Sequence, residues 1–131
     1  MKLAFIGLGA IGKPMSERLI DNGYELNLYQ RNKQKKDNNR KYFADPKEAV
    51  TDCDGLLICV TDDDAVESVL FGANGVSGSL KPNSFVIDFS TISPNKSISL
   101  HKRLAQQNIF YVDCPVSGGT EGASEGSLSL F

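Results

Sequence analysis

Cysteine and histidine are scarce in this sequence, and their spacing does not match the usual metal-binding patterns. The three cysteines, Cys53, Cys59 and Cys114, form no Cys-x-x-Cys pair, and there is a single histidine. A structural zinc site needs four such ligands at closer spacing. An odd number of scattered cysteines is typical of a protein that keeps its thiols reduced. We therefore expect no metal site and a cytoplasmic location.

The sequence also lacks long apolar runs and any strong excess of charge. No apolar stretch approaches the ~20 residues of a membrane span, and the amino end already reads as a strand, so we expect no signal peptide. The formal net charge of −2 gives no reason to expect nucleic acid or an anionic membrane as a partner. The length of 131 residues fits one domain, which we place at residues 1–131.

A glycine-rich turn near the amino end is the most informative feature that is present. Residues 3–6 are apolar, and Gly7, Gly9 and Gly12 follow with the spacing Gly-x-Gly-x-x-Gly. In dinucleotide-binding proteins the first glycine permits a sharp turn, the second lets a pyrophosphate approach, and the third lets the next helix pack closely on the strand. The alternative is a connection that only turns the chain. The strand before it and the helical pattern after it favour the phosphate interpretation.

The helix after this turn would supply the hydrogen-bond donors. Ile11, Met15 and Leu19 recur at four-residue spacing, which places them on one helical face. The first N–H groups of such a helix point at the phosphates, and the helix dipole favours their negative charge. We predict cofactor contacts from five residues here: Gly7, Gly9, Ala10, Ile11 and Gly12.

The end of the next predicted strand decides between two cofactors. In NAD-type sites an acidic residue stands at this position and binds the ribose hydroxyls, whereas this chain has Gln30, Arg31 and Asn32. The planar guanidinium of Arg31 can stack on adenine and pair with a 2′-phosphate. We therefore predict that residues 30–32 contact the cofactor and that NADP is preferred to NAD. The lysines that follow, at 33, 35 and 36, are expected to be a solvated surface.

Strand-like and helix-like segments alternate along the rest of the chain. Predicted strands cover residues 3–6, 25–29, 41–44, 56–60, 84–89 and 109–112, and predicted helices cover 11–22, 45–51 and 93–107, with another opening at 61–64 and a short or frayed one after Arg31. The acids at 62–64 are interpreted as helix capping rather than a metal site. His101 falls on the apolar arc of its helix with Ile98 and Ala105, so we expect an interior or boundary position.

This alternation predicts an α/β fold, a doubly wound parallel sheet of the Rossmann type. Ligands of such sheets bind beyond the carboxyl ends of the strands. Five segments follow predicted strand ends and should therefore converge on one rim: residues 7–12, 30–32, 60–62, 90–92 and 114–119.

Three of these segments together resemble the 3-hydroxyisobutyrate dehydrogenase (β-hydroxyacid dehydrogenase) family. Residues 7–15, Gly-Leu-Gly-Ala-Ile-Gly-Lys-Pro-Met, are similar to its opening motif, and residues 88–94, Asp-Phe-Ser-Thr-Ile-Ser-Pro, to its Asp-x-Ser-Thr-x-x-Pro. Residues 113–123, Asp-Cys-Pro-Val-Ser-Gly-Gly-Thr-Glu-Gly-Ala, resemble its substrate-binding signature. The resemblance spans the whole chain.

The resemblance implies hydride exchange between a nicotinamide cofactor and a small 3-hydroxy acid. It places Cys59, Val60 and Thr61 along the cofactor and Thr91 near its nicotinamide half. It also implies that Ser117, Gly118 and Gly119 hold the substrate, which agrees with the suitability of unobstructed backbone N–H groups for a carboxylate.

The resemblance also implies that part of the enzyme lies outside this sequence. The family's catalytic lysine belongs to a second, all-helical domain, and no residue here matches it, so no catalytic residue is assigned. We expect an excised or truncated cofactor domain that is inactive alone, with an apolar face where the absent helices would pack, and a possible homo-oligomer formed through that absent domain. The alternatives are a dinucleotide-binding module without turnover, or a relative of imine reductases or 6-phosphogluconate dehydrogenase.

Overall fold

The computed structural model describes residues 1–31 and 39–131. Its strands are β1 (Lys2–Ile6), β2 (Glu25–Tyr29), β3 (Lys41–Tyr42), β4 (Gly55–Ile58), β5 (Phe85–Asp88), β6 (Phe110–Asp113), β7 (Val116–Ser117) and β8 (Ser129–Leu130). Its helices are α1 (Gly12–Asp21), α2 (Pro46–Val50), α3 (Asp63–Phe71), α4 (Pro94–Ala105) and α5 (Gly119–Glu125), with a 3₁₀ turn at Ser77–Ser79.

Six of the described strands form one parallel sheet in the order β3-β2-β1-β4-β5-β6. The chain builds outward from β1 in one direction, returns to β4 on the other side of β1, and then continues outward to β6. The reversal between β1 and β4 opens a crevice above their carboxyl ends, where doubly wound sheets bind ligands. The predicted Rossmann-type fold is confirmed. β7 and β8 form a separate antiparallel pair.

The sheet is buried on both faces around β1 and β4. Leu56, Leu57 and Ile58 of β4 are each at most 4% exposed, as a continuous apolar run predicts for a central parallel strand. Successive side chains point to opposite faces, so Leu56 and Ile58 belong to the cluster covered by α3 and α4, whereas Leu57 joins Phe5 in the cluster covered by α1. The register of β4 therefore also determines toward which face of the sheet the side chains of the following residues point.

Local sequence signals define most helix ends as expected. Asp45, Asp62 and Ser93 each accept a hydrogen bond from a first-turn N–H group of α2, α3 and α4. Gly23 follows the end of α1 with φ +91°, the left-handed conformation that stops a helix. The capping interpretation of the acids at the start of α3 is supported by the bond from the Ala65 N–H to Asp62, 2.8 Å.

Three expectations are modified by the structure or are not addressed by it. The predicted strand at 41–44 is only Lys41–Tyr42. His101, Ile98 and Ala105 are exposed, so the interior or boundary position expected for the histidine is wrong. The buried arc of α4 narrows to Leu100 and Leu104 because this helix covers the edge strand and no described element packs on its outer flank. The short helix expected after Arg31 and the lysines at 33, 35 and 36 lie outside the described residues.

One face of the sheet stays uncovered near its edge. Phe110 and Val112 of β6 are 65% and 55% exposed, and both point away from the cluster that α3 and α4 cover. Apolar side chains of this size on adjacent positions form a patch rather than isolated exposed residues. That this face packs against helices outside this sequence stays a prediction. None of the helices in the described ranges is long and apolar enough to cross a membrane.

An ion-pair cluster between α3 and α4 predicts a specific acid response. Glu67 accepts hydrogen bonds from Arg103 at 2.7 and 2.9 Å and from Lys96 at 3.0 Å. The Arg103 bonds hold the pKa of Glu67 below its usual value of 4.5. A carboxyl group whose pKa is lower in the folded chain stabilises the fold at pH values above its unfolded pKa, and this contribution is lost as the pH falls through the folded pKa.

Glu67→Gln should therefore lower the free energy of unfolding by about 1 kcal/mol at neutral pH and by progressively less below pH ~4.5. Urea unfolding at several pH values measures this, with Glu125→Gln on exposed α5 as control, and an equal loss at all pH values would contradict it.

Candidate functional site

The turn after β1 is constrained by the neighbouring strand. Gly7 has φ +101°, and a Cβ at this position would overlap the backbone carbonyl oxygen of Cys59. That carbonyl cannot easily move, because the Cys59 N–H is bound to the Ile6 carbonyl at 3.0 Å and continues the β1–β4 pairing. Only glycine fits here, for conformational and steric reasons together.

The other two glycines of the motif differ from each other. A Cβ on Gly12 would overlap the carbonyl oxygen of Gly7 and lie 3.2 Å from the ring of Phe5, so glycine at this position lets α1 lie against the turn. At Gly9, in contrast, no atom of the described residues lies within 4 Å of where a Cβ would be. The fold itself requires glycine at positions 7 and 12, whereas at position 9 it leaves open space facing solvent.

The N-terminus of α1 is available to an external anion. No side chain of its N-cap residue caps it, unlike α2, α3 and α4, whose caps were described above, and its first turn holds no acidic residue. The N–H groups around Ala10, Ile11 and Gly12 carry the positive end of the helix dipole beside the open space at Gly9. Sequence-predicted phosphate contacts are thus brought together at one place on the rim.

A cavity of about 390 Å³ lies next to this turn, between the end of β2 and α3. Its lining includes the predicted site residues Gly7, Arg31 and Val60. It also includes residues that the sequence did not single out: Ile6, Tyr29, Pro46, Ala65, Ser68, Val69, Ala73 and Asn74. Its volume is within the range of small-molecule sites. The helical spacing of 65, 68 and 69 is the one signal that could have identified this wall, since it puts them on one face of α3.

The basic residue expected at the end of β2 is where the sequence placed it. Arg31 is exposed, follows Tyr29 and Gln30, and contributes to the cavity lining. Among the described residues that line the cavity, Arg31 is the one that carries a charge. The predicted contact at Asn32 lies outside the described residues.

The segment after β4 alternates between the two faces of the sheet. Val60 lines the cavity, whereas the Cys59 side chain packs with Phe5 and Leu57 on the other face. Burial raises the pKa of the Cys59 thiol to about 11, so it stays protonated and is neither a nucleophile nor a thiolate ligand at neutral pH. Only the backbone of Cys59 faces the turn. Thr61 and Thr91 are exposed on the loops after β4 and β5.

The predicted substrate segment lies after β6 on the same side of the sheet. The Cys114 N–H donates to the Asp88 carbonyl at 2.7 Å, which ties this segment to the end of β5. Ser117 ends β7, and Gly118 and Gly119 have φ values of +135° and +63° where the chain turns into α5. All three are exposed. Their N–H groups stand at a bend that glycine alone adopts without strain.

Three of the described lysines, at positions 81, 96 and 102, lie away from the substrate segment. The Lys81 ammonium pairs with Asp54 at 2.9 Å, at the start of β4 and hence at the edge of the sheet opposite the glycine turn. Lys96 pairs with Glu67 between α3 and α4. Lys102 is exposed on α4. None of these three matches the role of a base beside the substrate segment.

Comparison with known proteins agrees with this geometry. A family model described as the NAD binding domain of 6-phosphogluconate dehydrogenase matches residues 2–131. The chain is 35% identical to 2-(hydroxymethyl)glutarate dehydrogenase of Eubacterium barkeri, over 100% of this chain and 45% of that protein. It is 34% identical to mitochondrial 3-hydroxyisobutyrate dehydrogenase of Mus musculus, over 98% and 40% of the two chains.

A solved structure shares the fold at a similar level of identity. The structure of Psf3 in complex with NADP⁺ and 2-OPP superposes with a TM-score of 0.90 and 32% identity, over 98% of this chain and 47% of that one. The chain thus spans about half the length of the relatives it matches. It belongs to the family of NAD-binding domains of 6-phosphogluconate dehydrogenase and the related hydroxyacid dehydrogenases, and it binds NAD or NADP.

Proposed function

We propose that this chain is the cofactor-binding part of an NADP(H)-dependent dehydrogenase for small 3-hydroxy acids. The observation that carries the proposal is the open space at Gly9 beside the uncapped N-terminus of α1. The fold does not need glycine there, but a bound pyrophosphate would. Gly7, Gly9, Ala10, Ile11 and Gly12 are proposed to hold the pyrophosphate.

The cavity between β2 and α3 is proposed to take the adenosine half of the cofactor. Tyr29 and Val69 supply apolar walls of the kind a purine ring requires, and the exposed Arg31 also lines the cavity. A 2′-phosphate on the ribose would pair with the guanidinium, and the absence of a carboxylate at the end of β2 removes the group that would repel it. This favours NADP over NAD, with Gln30 beside the same contact.

The chemistry itself is proposed to take place beyond the ends of β4 and β5. Bound nicotinamide supplies the hydride acceptor or donor for a 3-hydroxy acid and its aldehyde or keto counterpart. Val60 and Thr61 with the backbone of Cys59, together with Thr91, are proposed to orient the nicotinamide half. Backbone N–H groups at Ser117, Gly118 and Gly119 are proposed to bind the substrate carboxylate.

A general base for the hydroxyl proton is proposed to come from outside the described residues. Transfer of a hydride from an alcohol carbon requires that the hydroxyl proton be taken up by a group within hydrogen-bond reach. The lysines considered above do not lie beside the substrate segment. We therefore expect residues 1–131 alone to bind the cofactor without turning over a hydroxy acid.

The cofactor preference is tested at Arg31. Arg31→Ala should weaken NADPH binding by about 1–3 kcal/mol and leave NADH binding nearly unchanged, because only NADPH carries the 2′-phosphate. Isothermal titration with both nucleotides measures this. Lys41→Ala is the matched control, since it removes the same charge from the adjacent strand β3, where Lys41 is paired with Glu25. Tighter or equal binding of NADH by the unaltered chain would contradict the preference.

A further inference from the structure

A buried carboxylate stands at the carboxyl end of β5. Asp88 has no exposed surface, and its two oxygens have different partners. One accepts the Ser90 N–H at 2.9 Å, and the other accepts the hydroxyl of Tyr111, also at 2.9 Å. Tyr111 lies on β6 and is 5% exposed. The carboxylate therefore joins the end of β5 to the edge strand.

The same carboxylate is linked to the loop after β4 through a serine. Ser90 is 2% exposed, its Oγ accepts the Val60 N–H at 2.9 Å, and its own N–H donates to Asp88. Val60 lines the same cavity as Arg31. A continuous chain of hydrogen bonds thus runs from a wall of the nucleotide cavity to a buried anchor.

A second cross-link joins the same two loops three residues further on. The Asp63 carboxylate accepts the Ser93 N–H at 2.8 Å and the Ser93 hydroxyl at 2.6 Å. The loops after β4 and β5 are therefore fastened at both ends, at positions 60 with 90 and 63 with 93. Thr61 and Thr91, the proposed nicotinamide contacts, lie between the two cross-links.

Stability alone does not account for a carboxylate at this position. Burial raises the pKa of Asp88 despite the hydrogen bonds from Ser90 and Tyr111, which means that the charged form is costly in this environment. Well-packed apolar residues often stabilise a core as well as buried charged groups do. What an apolar residue could not provide is a directed pair of acceptors for two neighbouring elements.

We propose that Asp88 is a positioning residue of the dinucleotide site: it holds the Ser90 N–H, and the Ser90 hydroxyl in turn fixes the Val60 backbone and, with it, the loop that faces the nicotinamide half. This inference rests on the proposed nucleotide site. Asp88 does not touch the cofactor. It holds the two loops in the arrangement that binds the cofactor. The loops are therefore already ordered before binding, which lowers the cost of binding.

The first test measures amide hydrogen exchange in the loop after β4, without any nucleotide. In Ser90→Ala, the Val60 N–H loses its acceptor, and its hydrogen exchange should accelerate about tenfold or more relative to the unaltered chain. Asp88→Asn should change the exchange of the Val60 amide in the same direction, since the Ser90 N–H loses its charged acceptor. Val86→Ala is the control. Val86 is fully buried on the same face of β5, and its truncation lowers stability without touching the hydrogen-bond chain.

The second test measures NADPH binding by isothermal titration on the same variants. Ser90→Ala and Asp88→Asn should each weaken NADPH about tenfold, and the double variant should lose little more than either single one, because both interrupt one chain of contacts. Val86→Ala should bind NADPH as the unaltered chain does. Tyr111→Phe, which removes one hydroxyl, gives a milder probe should Asp88→Asn fail to fold, and should weaken NADPH less than Ser90→Ala.

The outcomes separate this inference from the function on which it rests. Unchanged exchange at Val60 and unchanged NADPH affinity in Ser90→Ala would overturn the positioning role. An equal loss of affinity in Val86→Ala would also overturn it, because the effect would then follow stability alone. If the unaltered chain bound no NADPH, the proposed nucleotide site would fail with it, even where the Val60 exchange behaved as expected.

Discussion

Gly9→Ala is expected to weaken NADPH binding at least a hundredfold while leaving the free energy of unfolding within about 0.5 kcal/mol. The fold offers room for the added methyl group, since no described atom lies within 4 Å of it and the backbone of Gly9 is not in the left-handed region. The methyl group would occupy the space where a pyrophosphate must approach the N–H groups of α1. A loss of about 2.7 kcal/mol in binding corresponds to the hundredfold change.

Two measurements on the same preparation check this expectation. Titration calorimetry with NADPH gives the affinity, and urea unfolding gives the stability. Gly78→Ala is the matched control, because Gly78 is exposed and equally free of neighbours but lies far along the chain after α3. NADPH binding by Gly9→Ala within threefold of the unaltered chain would exclude the glycine turn as the pyrophosphate site.

Gly7→Ala is expected to destabilise the fold itself by about 3 kcal/mol or more. Two costs add at this position: the φ of +101°, which an L-residue rarely adopts, and the overlap of the new Cβ with the Cys59 carbonyl oxygen. Neither can relax cheaply, since the Cys59 backbone is hydrogen-bonded into the pairing of β1 with β4. For a chain of this length the midpoint of thermal unfolding should fall by about 10 °C or more.

The comparison of the two glycines is the informative part of this experiment. Calorimetric or circular-dichroism melting of Gly7→Ala and Gly9→Ala should give a large shift for the first and almost none for the second. Equal shifts would mean that the two positions do not differ in the way the packing around Gly7 and Gly9 indicates. Gly78→Ala serves again as the control for the effect of adding a methyl group to a loop.

The fold could be predicted because its signals are local. The run from Leu56 to Ile58 is apolar at every position, a pattern typical of a strand that is covered on both faces of the sheet. Asp45 before Pro46 and Ser93 before Pro94 mark helix starts by capping chemistry that acts over three residues. Where local signals were weak the prediction failed. The buried face predicted for α4 was too wide and included His101, because helical periodicity alone does not tell how much of a helix its neighbours cover.

The candidate site could be predicted only in part. Gly7 and Arg31 follow strands, so their place on the rim comes from the parallel order of the sheet. The cavity wall formed by Ala65, Ser68 and Val69 was not predicted. α3 lies beside the cavity only because the crossover connection from β4 to β5 passes over the sheet. Cys59 was predicted together with Val60, but the alternation of side chains along the chain sends its thiol to the opposite face.

The sequence by itself determined the order of strands and helices, the dinucleotide fingerprint and the basic residue at the end of β2, because each depends on residues within a few positions of one another. Only the tertiary structure determined which glycines of the turn the fold itself requires and toward which face of the sheet each side chain points. It also determined that Asp88 and Ser90 anchor Val60. The Val60–Ser90 and Asp88–Tyr111 contacts join residues 30 and 23 positions apart. They exist only once strand order and register have been set by the packing of the whole sheet, which no local pattern encodes.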